Sequence, residues 1–319
     1  MWRFIHHGLL MRILVLGAGA VGGYFGGRLV EAGADATFFV RPARARLLAA
    51  HGLRIDSPAG NLVTAVKTMS DPGALAPFDL VLLTCKAYDL ETSLSDLAGA
   101  VGLSTTILPL LNGLVHIEKI AARFPQARLW GGVARISAAL DENGAIRHAD
   151  DFARIDFGAP DGDADALADE LAALYAKTPV LAVHNPNILR EMWDKLVFLA
   201  TLAGMNALMR ATIADIMATP AGERLIHATL SECASIARAE GFDFDAARVA
   251  QHGDSLALRA ANMKSSMLYD IEHGAPTEGE HILGDLHARA LRHGLSAPLL
   301  EIALTHVQVY EARRAQHQR

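Results

Sequence analysis

The sequence predicts an α/β chain in two parts, an N-terminal domain on a parallel sheet and an all-helical C-terminal domain. Three observations predict it. A short apolar run near the N-terminus leads into regularly spaced glycines, RILVLGAGAVGG. Further apolar runs of strand length, FDLVLL and TTILPLL, recur through the first half. After HNPNI, 184–188, the apolar period lengthens from about 2 to about 3.6. The division is therefore expected at 186/187, giving domains 11–186 and 187–319.

Composition narrows the class. The 319 residues are 51% hydrophobic and 20% charged. That balance describes a globular chain with large cores, and the length suits about two domains. The formal net charge is −6 and no block of like charge stands out, which argues against nucleic acid or an anionic membrane as partner. No apolar run reaches the ~20 residues of a membrane span without glycine or charge. Cys85 and Cys233 stand far apart, outside any CxxC or Cys/His cluster, so neither a disulfide framework nor a zinc site is expected. A reduced, cytoplasmic setting fits. The 14 histidines show no HExxH spacing, and no metal is expected. The stretch MWRFIHHGLLMRILVLGAGAVGG, with basic residues, an apolar run and small residues, has the look of a secretory signal. However, a second methionine, Met11, begins a strand at once, so 1–10 is expected to be an optional or misassigned extension.

The first element is a strand over Arg12–Leu16, then a glycine turn and a helix. Gly17, Gly19 and Gly22 form GxGxxG, and each has a separate task. Gly17 allows a tight turn, Gly19 lets backbone approach a pyrophosphate, and Gly22 lets helix pack on strand. The helix, opening at Ala20, offers unpaired N–H groups to phosphate. Because the motif lies between a strand and a helix, it reads as a Rossmann-type dinucleotide site rather than a mere turn.

The second strand, ATFFV, leads to Arg41 and Arg44. A carboxylate there would suit the ribose 2′-hydroxyl of NAD, whereas a guanidinium suits the 2′-phosphate of NADP. Asp35 is at the wrong end of the strand, so NADP is favoured with Arg41 as its principal contact. A solvated loop is the bland alternative. Two more strands follow, Leu80–Thr84 with Lys86 just beyond, and one ending at Asn112-Gly113. Both residues fall on the carboxyl edge, where open parallel sheets bind ligands. An ordinary Asn-Gly turn would also explain Asn112. From Trp130 to His184, strand-like runs and a DENG turn are expected to complete a mixed sheet with antiparallel strands near its edge.

The second half reads as helices at about 188–209, 212–218, 221–240, 245–273, 276–293 and 298–314, punctuated by Pro220, Gly241, Gly274 and Pro298. A cleft between two such domains is the usual place for a small substrate. The apolar C-terminal helices can serve as core or as the face of a homodimer. In the first of them, EMWDKLVFLATLAGMNALM, a lysine heads an apolar run. Snorkelling along apolar surface would account for Lys195 taken alone.

The chain resembles the ketopantoate reductase (2-dehydropantoate 2-reductase) family. The resemblance rests on GAGAVGG, CKAYD with PLLNG, MWDKL, and SSMLYDIEHGAPTEGE, in the family's order over nearly all of 12–312. It implies a Rossmann domain joined to a helical domain like the C-terminal domain of 6-phosphogluconate dehydrogenase. It implies NADPH-dependent reduction of ketopantoate to pantoate, toward pantothenate and coenzyme A. By resemblance Lys195 is the catalytic acid and Glu278 assists by holding the substrate hydroxyl. Ser266 binds the substrate carboxylate, Asn112 positions substrate and lysine, and Lys86 lies on the cofactor side. Without the family, Glu278 would simply complement a helix dipole. Two departures bear on the substrate. Leu199 stands where the family has an asparagine one turn after the lysine, and Gly279-Glu280 stands where it prefers an aliphatic residue and Asp. Asn206 lies eleven residues on, about 16 Å along the helix, too far to take over that contact. A different small 2-keto acid is therefore the alternative substrate, and a catalytically idle NADP-binding protein the alternative class.

Overall fold

The computed structural model describes residues 11–163, 165–258 and 262–317. They form two compact units. One comprises the residues up to Leu111 together with His116–Ile188, and the other comprises Asn112–Val115 with the residues from Leu189 onward. The Asn112–Val115 loop, read from the sequence as part of the first domain, thus counts with the helical unit.

In chain order the strands of the first unit are β1 (Arg12–Leu16), β2 (Asp35–Phe39), β3 (Leu53–Asp56), β4 (Leu62–Thr64), β5 (Lys67–Met69), β6 (Leu80–Leu83), β7 (Thr106–Pro109), β8 (Arg128–Leu129), β9 (Gly131–Leu140), β10 (Ile146–Gly158) and β11 (Leu181–His184). Six form one sheet in the order β5-β2-β1-β6-β7-β8, with every pair parallel. The order reverses between β1 and β6, the switch point of a doubly wound nucleotide-binding sheet.

The sequence reading needs one correction here. Residues 130–184 do not extend this sheet. They build a second one, ordered β11-β10-β3-β4 with β9 antiparallel to β10. The reason lies in α1 (Ala20–Glu31), whose residues from Gly22 to Leu29 are all buried. A helix apolar all round needs cover on more than one side. A Cβ added at Gly26 would meet Phe38 at 2.8 Å and Val15 at 3.0 Å, both on the first sheet. One added at Gly27 would meet Leu53 at 2.6 Å and Ile55 at 3.0 Å, both on the second. The GGYFGG run is thus cut to fit between two sheets. Arg28, 1% exposed within this core, is satisfied locally. It donates to the Gly60 carbonyl at 2.5 Å and to Glu31 at 2.8 Å, and its guanidinium covers the Tyr24 ring. The DENG turn joins β9 to β10 as expected. Asp141 accepts the amides of Asn143 (2.9 Å) and Ala145 (2.8 Å), and Gly144 takes φ +78°.

The remaining helices of this unit are α2 (Pro42–His51), α3 (Leu90–Asp96), α4 (Val115–Arg123, most of which lies in this unit) and α5 (Ala166–Tyr175). The helical unit holds α6 (Ile188–Met209), α7 (Ile213–Met217), α8 (Gly222–Ala239), α9 (Ala246–Leu256), α10 (Ser266–Glu272), α11 (Asp285–Arg292) and α12 (Pro298–His317). The helix expected over 245–273 is two, α9 and α10. Ser265 caps α10, its hydroxyl accepting the Leu268 amide at 3.2 Å. The buried Asn206 carboxamide accepts the Ser265 amide at 2.8 Å and donates to the Ala211 carbonyl at 2.8 Å. Asn206 is therefore a staple between the end of α6 and the start of α10. The helix expected over 276–293 starts with a π-helical turn at Glu280–Gly284 before α11. On α12, Leu300, Ala303, Leu304 and Val307 are core, while Ile302 and Val309 face outward.

Candidate functional site

The glycine loop joins β1 to α1 at the switch point. Gly17 has φ +96°, a conformation that favours glycine, and donates its amide to the Phe39 carbonyl at 3.0 Å. A Cβ on Gly22 would lie 2.5 Å from the Gly17 carbonyl and would collide with the Thr84 hydroxyl. Gly19 has open space where its Cβ would be, and α1, starting at Ala20, has no side-chain cap. An open cradle below an uncapped helix N-terminus fits a dinucleotide pyrophosphate. Thr84 was not singled out from the sequence. Its hydroxyl donates to the Leu16 carbonyl at 2.6 Å and ties the ends of β1 and β6 together. A polar residue closing an apolar strand was the available signal.

Arg41 and Arg44 part company. Arg41 precedes Pro42 at the start of α2, is 81% exposed, and pairs with Asp89 at 3.0 Å. Arg44 turns back and donates to the Ala18 carbonyl at 3.1 Å and the Gly144 carbonyl at 2.9 Å. It braces the glycine loop against the β9–β10 turn. Lys86 is exposed, at the head of the short turn Ala87–Asp89 beyond β6.

In the helical unit, α6 buries Met192, Trp193, Asp194, Leu196 and Val197, leaving Glu191, Lys195, Phe198 and Leu199 half-buried along one face. Spacings of three and four residues place these on a single stripe. The Lys195 ammonium donates to Asn112 Oδ1 at 2.9 Å. An ammonium has no acceptor, so the amide oxygen must face it. The next residue, Gly113, has φ +84°, and a Cβ there would lie 2.9 Å from the ring and from the carbonyl of His281. His281, in the π-helical turn, is thus a neighbour of this loop that sequence reading missed. Single π-turns often mark functional sites, but nothing in the sequence announces one. Glu278 is 7% exposed and lies just before that turn, its carbonyl accepting the Ile282 amide at 3.0 Å. Ser266 is exposed at the first position of α10, while its neighbour Ser265 is the buried cap.

Beside Lys195 sits a second network. Asp194 is 4% exposed. It accepts from Arg248 Nε at 2.7 Å, from Arg248 Nη2, and from His252 Nε2 at 2.9 Å. Burial would raise its pKa. The hydrogen bonds from His252 and Arg248 and their charge outweigh burial and hold the carboxyl well below the usual range. The network fastens α9 to α6 next to the lysine. Among the described residues, no group of three or more His, Cys, Asp or Glu could hold a metal, and no helix is long and apolar enough to cross a membrane.

A doubly wound sheet with a glycine cradle at its switch point defines a dinucleotide-binding protein of the Rossmann class. The chain belongs to the ketopantoate reductase family and is an oxidoreductase acting on CH–OH groups. The family model for ketopantoate reductase PanE/ApbA matches residues 13–162, and the model for its C-terminal domain matches 187–311. The chain is 36% identical over 304 residues to the oxidoreductase YkpB of Bacillus subtilis, covering 95% of this chain and 100% of that protein. It is 28% identical to the 2-dehydropantoate 2-reductase of Halobacterium salinarum, covering 91% and 95%. Among solved structures, the 2-dehydropantoate 2-reductase of Geobacter metallireducens superposes with a TM-score of 0.85 at 28% identity, over 93% of this chain and 99% of that one. A ternary structure of D-mandelate dehydrogenase with NADH shares the fold, with TM-score 0.85 at 23% identity.

Proposed function

We propose that the protein reduces the ketone of a small 2-keto acid with NADPH, ketopantoate being the first candidate, as a step toward pantothenate. The cofactor domain is 11–186 and the catalytic domain 187–319. The observation that carries the reading is the Lys195–Asn112 hydrogen bond on a half-buried stripe of α6. When bound, the cofactor supplies a hydride to the carbonyl carbon. Negative charge then develops on the carbonyl oxygen, and the Lys195 ammonium stabilises it and donates the proton. Asn112 fixes the direction of that ammonium. Glu278 holds the resulting hydroxyl, and Ser266 takes the substrate carboxylate. On the cofactor side, Gly17, Gly19, Ala20 and Gly22 take the pyrophosphate, Arg41 the 2′-phosphate, and Lys86 the same edge of the sheet.

Leu199, one turn beyond Lys195, supports the second reading, a 2-keto acid whose side chain lacks a polar group at that point. A buried polar group left unmatched there would cost about 1–3 kcal/mol. Cys85 and Cys233, present as thiols, support a reduced, cytoplasmic setting, and outward-facing Ile302 and Val309 support a homodimer.

The test is NADPH oxidation with ketopantoate beside a panel of 2-keto acids, with Lys195→Ala as control. Turnover of ketopantoate lost in the variant supports the family reaction. Turnover of another acid only moves the substrate to the second reading. NADPH binding without turnover of any acid refutes catalysis.

A further inference from the structure

We propose that Asp89 is a cofactor-selecting residue, which supplies from the edge of β6 the acid that the end of β2 lacks. The inference rests on the reading of Arg41 as the 2′-phosphate contact. In a dinucleotide fold the acid that accepts the ribose 2′-hydroxyl normally follows the second strand. Here that position is Val40-Arg41. The strand's own acid, Asp35, is at the opposite end and is tied to Lys67 at 2.7 Å. Asp89 instead ends the short turn after β6. In the sheet β1 lies between β2 and β6, so Arg41 and Asp89 come from the two strands that flank the glycine loop. Their ion pair, 3.0 Å from Arg41 Nη2 to Asp89 Oδ2, therefore joins the two sides of the switch point.

The pair has opposite consequences for the two nicotinamide cofactors. A 2′-phosphate takes the Arg41 guanidinium and leaves Asp89 a few ångströms from like charge. A 2′-hydroxyl donates to Asp89 while Arg41 still holds that carboxylate. The pair thus weakens NADPH binding, strengthens NADH binding, and leaves the protein able to use both. Neither Asp89 nor Arg41 is assigned a part in the chemistry at Lys195, so selection is read from binding alone.

The experiment measures dissociation constants of NADPH and NADH by fluorescence titration for the wild-type protein, Asp89→Asn and Arg41→Ala. Asparagine keeps the shape and removes the charge. In Asp89→Asn, NADPH is expected to bind about three- to tenfold tighter and NADH about three- to tenfold weaker. The ratio of the two constants then opens by roughly 10- to 100-fold. A ratio that stays put or narrows in Asp89→Asn, while Arg41→Ala selectively weakens NADPH, overturns the role of Asp89 and keeps that of Arg41. Equal effects of Arg41→Ala on both cofactors overturn the 2′-phosphate reading and the inference with it.

Discussion

Replacing Asn112 by alanine removes one hydrogen bond, 2.9 Å long, from the Lys195 ammonium. A hydrogen bond to a charged group contributes about 1.5–3 kcal/mol. If that energy serves to aim the proton donor, kcat/KM falls about 10- to 150-fold in Asn112→Ala. Lys195→Ala removes the donor itself and costs about 10²- to 10⁴-fold. The diagnostic quantity is the double variant. If Asn112 acts through Lys195, adding Asn112→Ala to Lys195→Ala costs little more, and the coupling energy equals most of the single-variant loss. The assay is steady-state NADPH oxidation at saturating cofactor, with the NADPH dissociation constant measured separately. Asn112→Asp sharpens the test. Its carboxylate still accepts from the ammonium but favours the protonated lysine, so the alkaline limb of the pH–rate profile should move upward. Losses that multiply in the double variant, with no shift in the profile of Asn112→Asp, would refute an aiming role.

Five further outcomes follow from the structure. Asp194→Asn strips the partner from Arg248 and His252, and since Arg248 is over a third exposed the cost is about 2–3 kcal/mol, below the 3–5 of a fully buried pair. Because the folded pKa of Asp194 is depressed, its stabilisation is present above the unfolded value near 3.9 and is lost as pH falls through the folded one. Urea midpoints of wild type and variant should therefore differ at pH 7 and converge on acidification below about pH 4. Gly22→Ala sets a Cβ 2.5 Å from the Gly17 carbonyl, so the glycine loop must shift and nucleotide binding should weaken. Gly26→Ala meets only side chains, and overpacking of about 1–3 kcal/mol is partly offset by about 1 kcal/mol of helix propensity, so nucleotide affinity should hold while the urea midpoint falls slightly. Burial pushes the Cys233 thiol up to about 12, so in the native protein iodoacetamide should spare Cys233 and label it only after unfolding. Leu199→Asn should raise kcat/KM about 5- to 150-fold for 2-keto acids with a side-chain hydroxyl.

What the sequence determined is local in kind. The strand, glycine turn and helix at 12–31 are legible because φ > 0 at Gly17 and close packing at Gly22 admit almost no other residue. The change from strand to helix between His184 and Ile188 is legible because an apolar period of two cannot become 3.6 without a change of element. Lys195 stood out because an ammonium within an apolar helix is costly to bury without a reason. Tertiary structure decided the rest. The assignment of 130–184 to a second sheet depends on which faces α1 must hide, a property of two distant segments at once. Arg44 read as a second guanidinium beside Arg41 until the Gly144 carbonyl, a hundred residues away, claimed it. The start of α10 is pinned by Asn206 reaching Ser265, and His281, on a π-turn without sequence signature, lies against Gly113. Periodicity and capping act within a few residues and show in the string. Cores, ion pairs and staples join residues far apart in the chain, and only the folded chain brings them within reach.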